Sequence, residues 1–149
     1  MRVNVERQNA VQHDRDLIRR QLLRYRGREL ETTGDGFLAS FDGPARAIRC
    51  SISDELRASG AELRIGLHTG ECDFVHPRLG GITVGIGAGI AAEAKAGEVL
   101  VSATLKDLVA GSEIEFLDRG TATLAGIPGQ RQLFAVNPQS VLTPRPEVD

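Results

Sequence analysis

Apolar residues recur every three to four positions across residues 14–25, where Leu17, Ile18, Leu22 and Leu23 mark one stripe of a helix. Gly27 stands where a helix C-terminus commonly turns left-handed. Strict alternation follows: Leu30 and Thr32 share one face of a predicted strand and Glu31 and Thr33 the other. Phe37, Ala39 and Phe41 repeat the pattern beyond a tight Thr-Gly-Asp-Gly turn. Pro44 suits a first helical turn, and Ala45, Ile48, Ile52 and Leu56 give that helix an apolar stripe ending at Gly60. Leu63, Ile65 and Leu67 then alternate as a core strand, and Gly70 bends the chain into a short strand at residues 72–75. Residues 79–97 are rich in glycine and alanine, and local propensity does not decide their conformation. A strand at 99–102, a helix at 104–109, alternation at Ile114, Phe116 and Leu117, a Gly-rich turn and a strand at 132–136 complete the pattern. The order, helix-strand-strand-helix-strand, is a ferredoxin-like α+β pattern without its opening strand.

The chain has 149 residues, of which 41% are hydrophobic and 26% charged, and suits one domain with one core. The expected division is an N-terminal segment at 1–12, the domain at 13–136 and a Pro-rich tail at 137–149 that is expected to be disordered. A formal charge of -2 argues against nucleic acid as a partner. The six arginines between Arg15 and Arg28 alternate with leucines at helical spacing, which is the pattern of a solvated helix face. Cys50 and Cys72 have neither zinc nor CxxC spacing, and with no signal peptide in view the expected location is the cytoplasm. No apolar run approaches the roughly 18 residues of a membrane span, so no membrane association of the chain itself is expected.

Candidate chemistry begins at the predicted hairpin, whose tip carries one carboxylate, Asp35, in a position suited to a metal ion. The block Thr-Thr-Gly-Asp-Gly-Phe at 32–37 resembles the metal hairpin of class III nucleotide cyclases, which convert ATP or GTP to a cyclic monophosphate. Further blocks follow in the order that family shows: Gly-Leu-His-Thr-Gly at 66–70, Gly-Glu-Val-Leu-Val-Ser at 97–102, and Asp-Arg-Gly at 118–120. Leu-Ala-Gly-Ile-Pro-Gly and Leu-Phe-Ala-Val close the series. The resemblance covers residues 13–136 and implies the class III cyclase fold.

It also implies a head-to-tail dimer with each active site in the cleft between two domains. Two aspartates there hold two divalent ions, and an asparagine, an arginine and a lysine steady the ribose and phosphates. By this resemblance Asp35 falls on the second metal aspartate. The first belongs on an upstream strand for which the chain offers no room, because residues 1–5 carry no acidic side chain and adjoin the helix. The fold is therefore expected to lack its first, metal-bearing strand. The gap is expected to be closed by dimerisation or by an N-terminal segment rearranged to fill it. Mg²⁺ or Mn²⁺ would then bind weakly, on a lone carboxylate.

Glu31 falls on a base-reading position, where the family's glutamate implies GTP; its plainer reading is an exposed strand residue. The second base-reading position falls near Arg78 and matches neither nucleotide type. By the resemblance residues 81–89 align with the family's helix that carries the transition-state pair, where Gly85 and Gly89 replace its asparagine and arginine, and Ala125 falls where it has its lysine. The implied protein is a degenerate cyclase homology domain, inactive or nearly so alone. It would form a homodimer or a heterodimer with another cyclase-type domain, with GTP or ATP as the candidate ligand. Two alternatives stand beside it: a regulatory or scaffolding subunit that binds an intact cyclase or nucleotide, and a weak guanylate cyclase.

A rival reading treats Gly87-x-Gly89-x-x-Ala92 as a dinucleotide-binding turn, which requires a strand at 82–86 and a helix after it. His68 and His76 lack a third metal ligand at useful spacing and read as structural, and Asp118 with Arg119 reads as a turn and ion-pair feature.

Overall fold

The structure, a computed structural model, describes residues 2–7, 12–32, 36–58, 63–70 and 81–139, with the main chain alone at 2–7, 12–14, 31, 32 and 81–83. Its strands are β1 (Arg2–Arg7), β2 (Arg28–Thr32), β3 (Gly36–Ser40), β4 (Leu63–His68), β5 (Val99–Ser102), β6 (Phe116–Thr123) and β7 (Gln130–Val136). The helices are α1 (Gln12–Arg24), α2 (Pro44–Ser51), α3 (Asp54–Ala58), α4 (Gly81–Glu93) and α5 (Ala103–Leu108). All seven strands join one mixed sheet in the order β2-β3-β1-β4-β5-β7-β6.

The α+β architecture follows the expectation, but its missing opening strand does not. Residues 2–7 form β1 in the middle of the sheet, antiparallel to both β3 and β4. Val3 stands in register with Ala39 and Leu67, and Val5 with Phe37 and Ile65. All four partners are buried. The Val-Asn-Val alternation thus has the period of a strand with one apolar side, and β1 fills the gap between β3 and β4. Of the two expected ways to close the gap, the N-terminal segment is the one seen.

The sheet carries hydrophobic packing on both faces, where one core was expected. On one face α1, α2, α3 and α5 lay Leu17, Ile18, Ile48, Leu56 and Leu105 over Phe37, Ile65, Leu67 and Val101. On the other, α4 lays Ile86 and Ile90, with Ala94 just beyond its end, over Leu100, Leu133 and Ala135, and Leu124 from the β6–β7 turn closes the cluster. The predicted single helix at 44–60 is two. Ser53 interrupts it, because its hydroxyl accepts from the Leu56 amide at 3.3 Å and so starts α3.

Gly27 is needed, though not for a left-handed turn. Arg26 takes the positive φ of 62°, and the Gly27 amide donates back to the Leu22 carbonyl at 2.7 Å, completing a Schellman-type end to α1. A Cβ on Gly27 would lie 2.7 Å from the Phe41 ring.

Both outer strands are bulged and charged. β2 slips register between Glu29 and Glu31, and β6 slips between Asp118 and Thr121. Such edges resist further strand pairing. The Arg19 guanidinium joins Glu29 at 2.9 Å, and Arg24 joins Glu55 at 3.1 Å. These pairs support the reading of the arginine-rich helix as a solvated face. At the far end Asn137 donates from its backbone to the Glu115 carbonyl at 2.8 Å, which holds the first residue after β7; residues 140–149 lie outside the described ones.

Candidate functional site

Two of the sequence-predicted positions lie on one side of α4, facing the turn that carries the third. Gly85 and Gly89 are one helical turn apart and face the β6–β7 turn. A Cβ on Gly85 would find Ile127 Cδ1 at 3.7 Å, and a Cβ on Gly89 would find Leu124 Cβ at 3.0 Å. Ala125 lies between those two hydrophobic residues in sequence and is exposed. Ala125 thus belongs to the turn that the two glycines face. Its side chains offer neither hydrogen-bond donor nor charge.

The glycines have different room. At Gly85 the nearest neighbour stands at ordinary van der Waals distance, so Gly85→Ala is expected to stabilise the protein by about 0.5–1 kcal/mol through helix propensity alone. At Gly89 the Leu124 side chain would have to yield, so Gly89→Ala is expected to gain less. Thermal midpoints of the two variants check both expectations.

The hairpin site is described only in part. Glu31 lies on β2 just past the bulge and pairs through its main chain with Leu38. Asp35 falls within residues 33–35, and Cys72, His76 and Arg78 fall within 71–80; all lie outside the described residues. The β1 register adds one residue that the sequence reading passed over. Glu6 stands opposite Gly36 on one side and Arg64 on the other, one residue from the hairpin segment that contains Asp35. The alternation Arg-Val-Asn-Val-Glu-Arg was the available signal. Among the described residues, no group of three metal-ligating side chains comes together.

His68 is structural, as expected. Its Nδ1 lies 2.8 Å from Ser102 Oγ, both residues are buried, and Ser102 also accepts from the Leu105 amide at 3.3 Å to cap α5. Burial, with the nearby Arg131 charge, pushes the His68 pKa down to about 4. Asp118 and Arg119 are likewise structural. The Asp118 carboxylate accepts from the Gly120 amide at 2.7 Å. Arg119 grips Glu98 with two nitrogens, at 2.6 and 3.0 Å, and the hydrogen bond from Arg119 holds the Glu98 carboxyl below the usual range. Cys50 is a free, buried thiol whose pKa burial raises to about 12.

The dinucleotide reading does not survive. Residues 82–86 are the opening of α4, not a strand, so Gly87 and Gly89 sit inside a helix instead of at a strand-to-helix turn. The α4 main chain there packs closely on β4. A Cβ on Gly66 of β4 would lie 2.3 Å from the Ala91 amide nitrogen and 2.6 Å from the Gly87 carbonyl oxygen.

This sheet, crossed by α4 on one face and by α1, α2, α3 and α5 on the other, is the fold of a class III nucleotide cyclase catalytic domain. Adenylate cyclases from Trypanosoma brucei, solved in their monomeric state, superpose with a TM-score of 0.79 and 18% identity over 92% of this chain and 88% of theirs. The adenylyl cyclase CyaB from P. aeruginosa gives 0.69 and 18% over 99% and 96%. The guanylate cyclase domain of RhGC from Catenaria anguillulae, in complex with GTP, gives 0.70 and 17% over 91% and 94%.

No family model matches the sequence. The uncharacterized protein Rv1359 of Mycobacterium tuberculosis is 35% identical over 80 residues, which are 52% of this chain and 32% of that protein. Rv0891c of the same organism is 37% identical over 100 residues, 64% of this chain and 35% of that one. The chain thus spans about a third of the length of the curated relatives it matches. No helix among the described residues is long and apolar enough to cross a membrane.

Proposed function

We propose that this chain is a degenerate nucleotide cyclase homology domain of cyclic-nucleotide signalling, without significant turnover on its own. It acts by pairing with a second cyclase-type domain, in a homodimer or a heterodimer. The observation that carries the reading is that Gly85 and Gly89 face the turn carrying Ala125, with Leu124 and Ile127 as the side chains nearest the two glycines. Cyclisation of a triphosphate builds negative charge on the phosphates, and fixed donors or cations must already stand where it develops. Removing one such group commonly lowers the rate by about 10² to 10³. Losses within one constellation do not add simply, yet a site without any of the three lacks every side chain that the resemblance assigns to that stabilisation.

Nucleotide binding without conversion fits the same geometry. Asp35 would hold Mg²⁺ or Mn²⁺ weakly, since carboxylate oxygen suits these hard ions but a lone ligand leaves most of their waters in place. Glu31 on β2 would favour guanine by accepting from its edge. Calorimetric titration with GTP and with ATP, each with Mn²⁺, tests this. GTP binding that weakens in Glu31→Ala while ATP binding does not change is the expected result. Equal affinity for both nucleotides in the unaltered chain would remove Glu31 from the site.

One observation favours a second reading, a weak guanylate cyclase. The register of β1 places Glu6 beside the hairpin, where a second carboxylate would complete a two-ion arrangement. The same register sets Glu6 opposite Arg64, which suits a cross-strand ion pair equally well. Cyclic GMP production abolished by both Glu6→Gln and Asp35→Asn would select this second reading.

A further inference from the structure

The geometry points to a second binding site, for a small organic phosphomonoester, in the cleft between the start of α2 and the α5–β6 turn. α2 and α5 lie on the same face of the sheet, where Ala47, Ile48 and Cys50 of the first and Leu105 of the second enter one hydrophobic cluster. The cleft beside them measures about 540 Å³, with Gly43, Pro44, Ala45, Arg46 and Arg49 along one wall and residues 108–112 along the other. A volume of that order lies within the range of pockets that hold small molecules. Because α4 packs on the opposite face, this cleft is separate from the surroundings of Gly85 and Gly89.

Charge decides what enters. Arg46 and Arg49 are the only charged residues of the lining, and both are cations. Three positions apart on one helix, they stand about 5–6 Å from each other at Cβ. Arg19, Arg24 and Arg119 each hold a carboxylate, whereas Arg46 and Arg49 make neither an ion pair nor a hydrogen bond among the described residues. Like charges at this spacing repel, and an anion bound between them offsets that repulsion. A phosphomonoester carries about -1.5 to -2 charges at neutral pH on three acceptor oxygens. It therefore balances both cations and suits two guanidinium forks that each donate in pairs. A single carboxylate would balance only one.

The rest of the lining favours an organic body over the bare ion. Leu108 is 59% exposed, and Pro44 and Ala110 add further apolar surface. A ring or short chain attached to the phosphate would take that surface out of water.

Amide chemical shifts of the full chain, titrated with phenyl phosphate, inorganic phosphate and phenol, test this site. Phenyl phosphate is expected to saturate, with its shifts concentrated at residues 43–49 and 108–112. Inorganic phosphate is expected to act at the same amides but more weakly, and phenol to have no effect. Replacing both arginines, Arg46→Gln with Arg49→Gln, is expected to weaken phenyl phosphate by about tenfold, with the thermal midpoint unchanged because neither side chain belongs to the core. Arg49→Lys keeps the charge without the fork and is expected to fall between the parent and the double variant. Shifts spread equally over the arginines of α1, equal affinity for phenyl and inorganic phosphate, or undiminished binding in the double variant would overturn the proposal. None of these outcomes bears on nucleotide turnover, which involves the other face of the sheet.

Discussion

Gly66→Ala is expected to lower the thermal midpoint by about 10 °C or to leave the protein insoluble, because its methyl group would make the tightest main-chain contact of those at the described glycines. The new Cβ would stand 2.3 Å from the Ala91 nitrogen, 2.6 Å from the Gly87 oxygen and 2.8 Å from the Ala91 Cα. All three are main-chain atoms of α4, so no rotamer change relieves the contact. The helix would have to move more than 1 Å off β4 to restore ordinary separation, opening the packing of Ile86 and Ile90 against Leu100. Overpacking of this kind typically costs about 1–3 kcal/mol where side chains can yield. Here the main chain must move, and about 3 kcal/mol or more is expected, at about 2–4 °C for each kcal/mol. A variant that melts with the parent would mean that α4 does not lie against Gly66 as described.

Stability is expected to fall as pH drops from about 6.5 towards 4, with His68 as a principal cause. The His68 imidazole has an ordinary pKa of 6.5, lowered to about 4 in the fold because burial, then the Arg131 charge, disfavours the cation. The unfolded chain therefore takes up this proton at a higher pH than the native one does. The contribution is constant above about 6.5, shrinks between 6.5 and 4, and levels off below. Its ceiling is about 3 kcal/mol over that range. Depressed carboxyls such as Glu98 act in the same direction at lower pH, since their protonation costs the fold its ion pairs. Thermal midpoints measured from pH 8 to pH 4 are expected to decline below 6.5 in the parent and to decline less steeply in His68→Gln. Equal slopes in the two proteins would show that His68 does not titrate against folding.

Much of this architecture could be read from periodicity. The stripe of Leu17, Ile18 and Leu22 gave α1, and the alternation of Leu63, Ile65 and Leu67 gave β4, because each faces one hydrophobic layer. The misses have separate physical causes. β1 shows a strand's alternation, but its status as a central strand comes from pairing with β3 and β4, which local sequence does not contain. α4 carries glycines that weaken helix propensity, so periodicity left it undecided; the family resemblance set residues 81–89 on a helix, and that helix is seen, its main chain close against Gly66. The break between α2 and α3 depends on a single hydroxyl, that of Ser53.

At the candidate site, chain order placed Gly85, Gly89 and Ala125 in one family pattern, but only the fold shows that Leu124 and Ile127 lie against those glycines. Glu6 was passed over because its relevance is a matter of register with Gly36, a residue thirty positions away along the chain.

Turnover is the decisive quantity. The purified chain, incubated with GTP and separately with ATP in the presence of Mn²⁺, is predicted to yield no cyclic nucleotide above the protein-free reaction. Cyclic product that disappears in Asp35→Ala would contradict the account, because it would require charge stabilisation that Gly85, Gly89 and Ala125 do not supply.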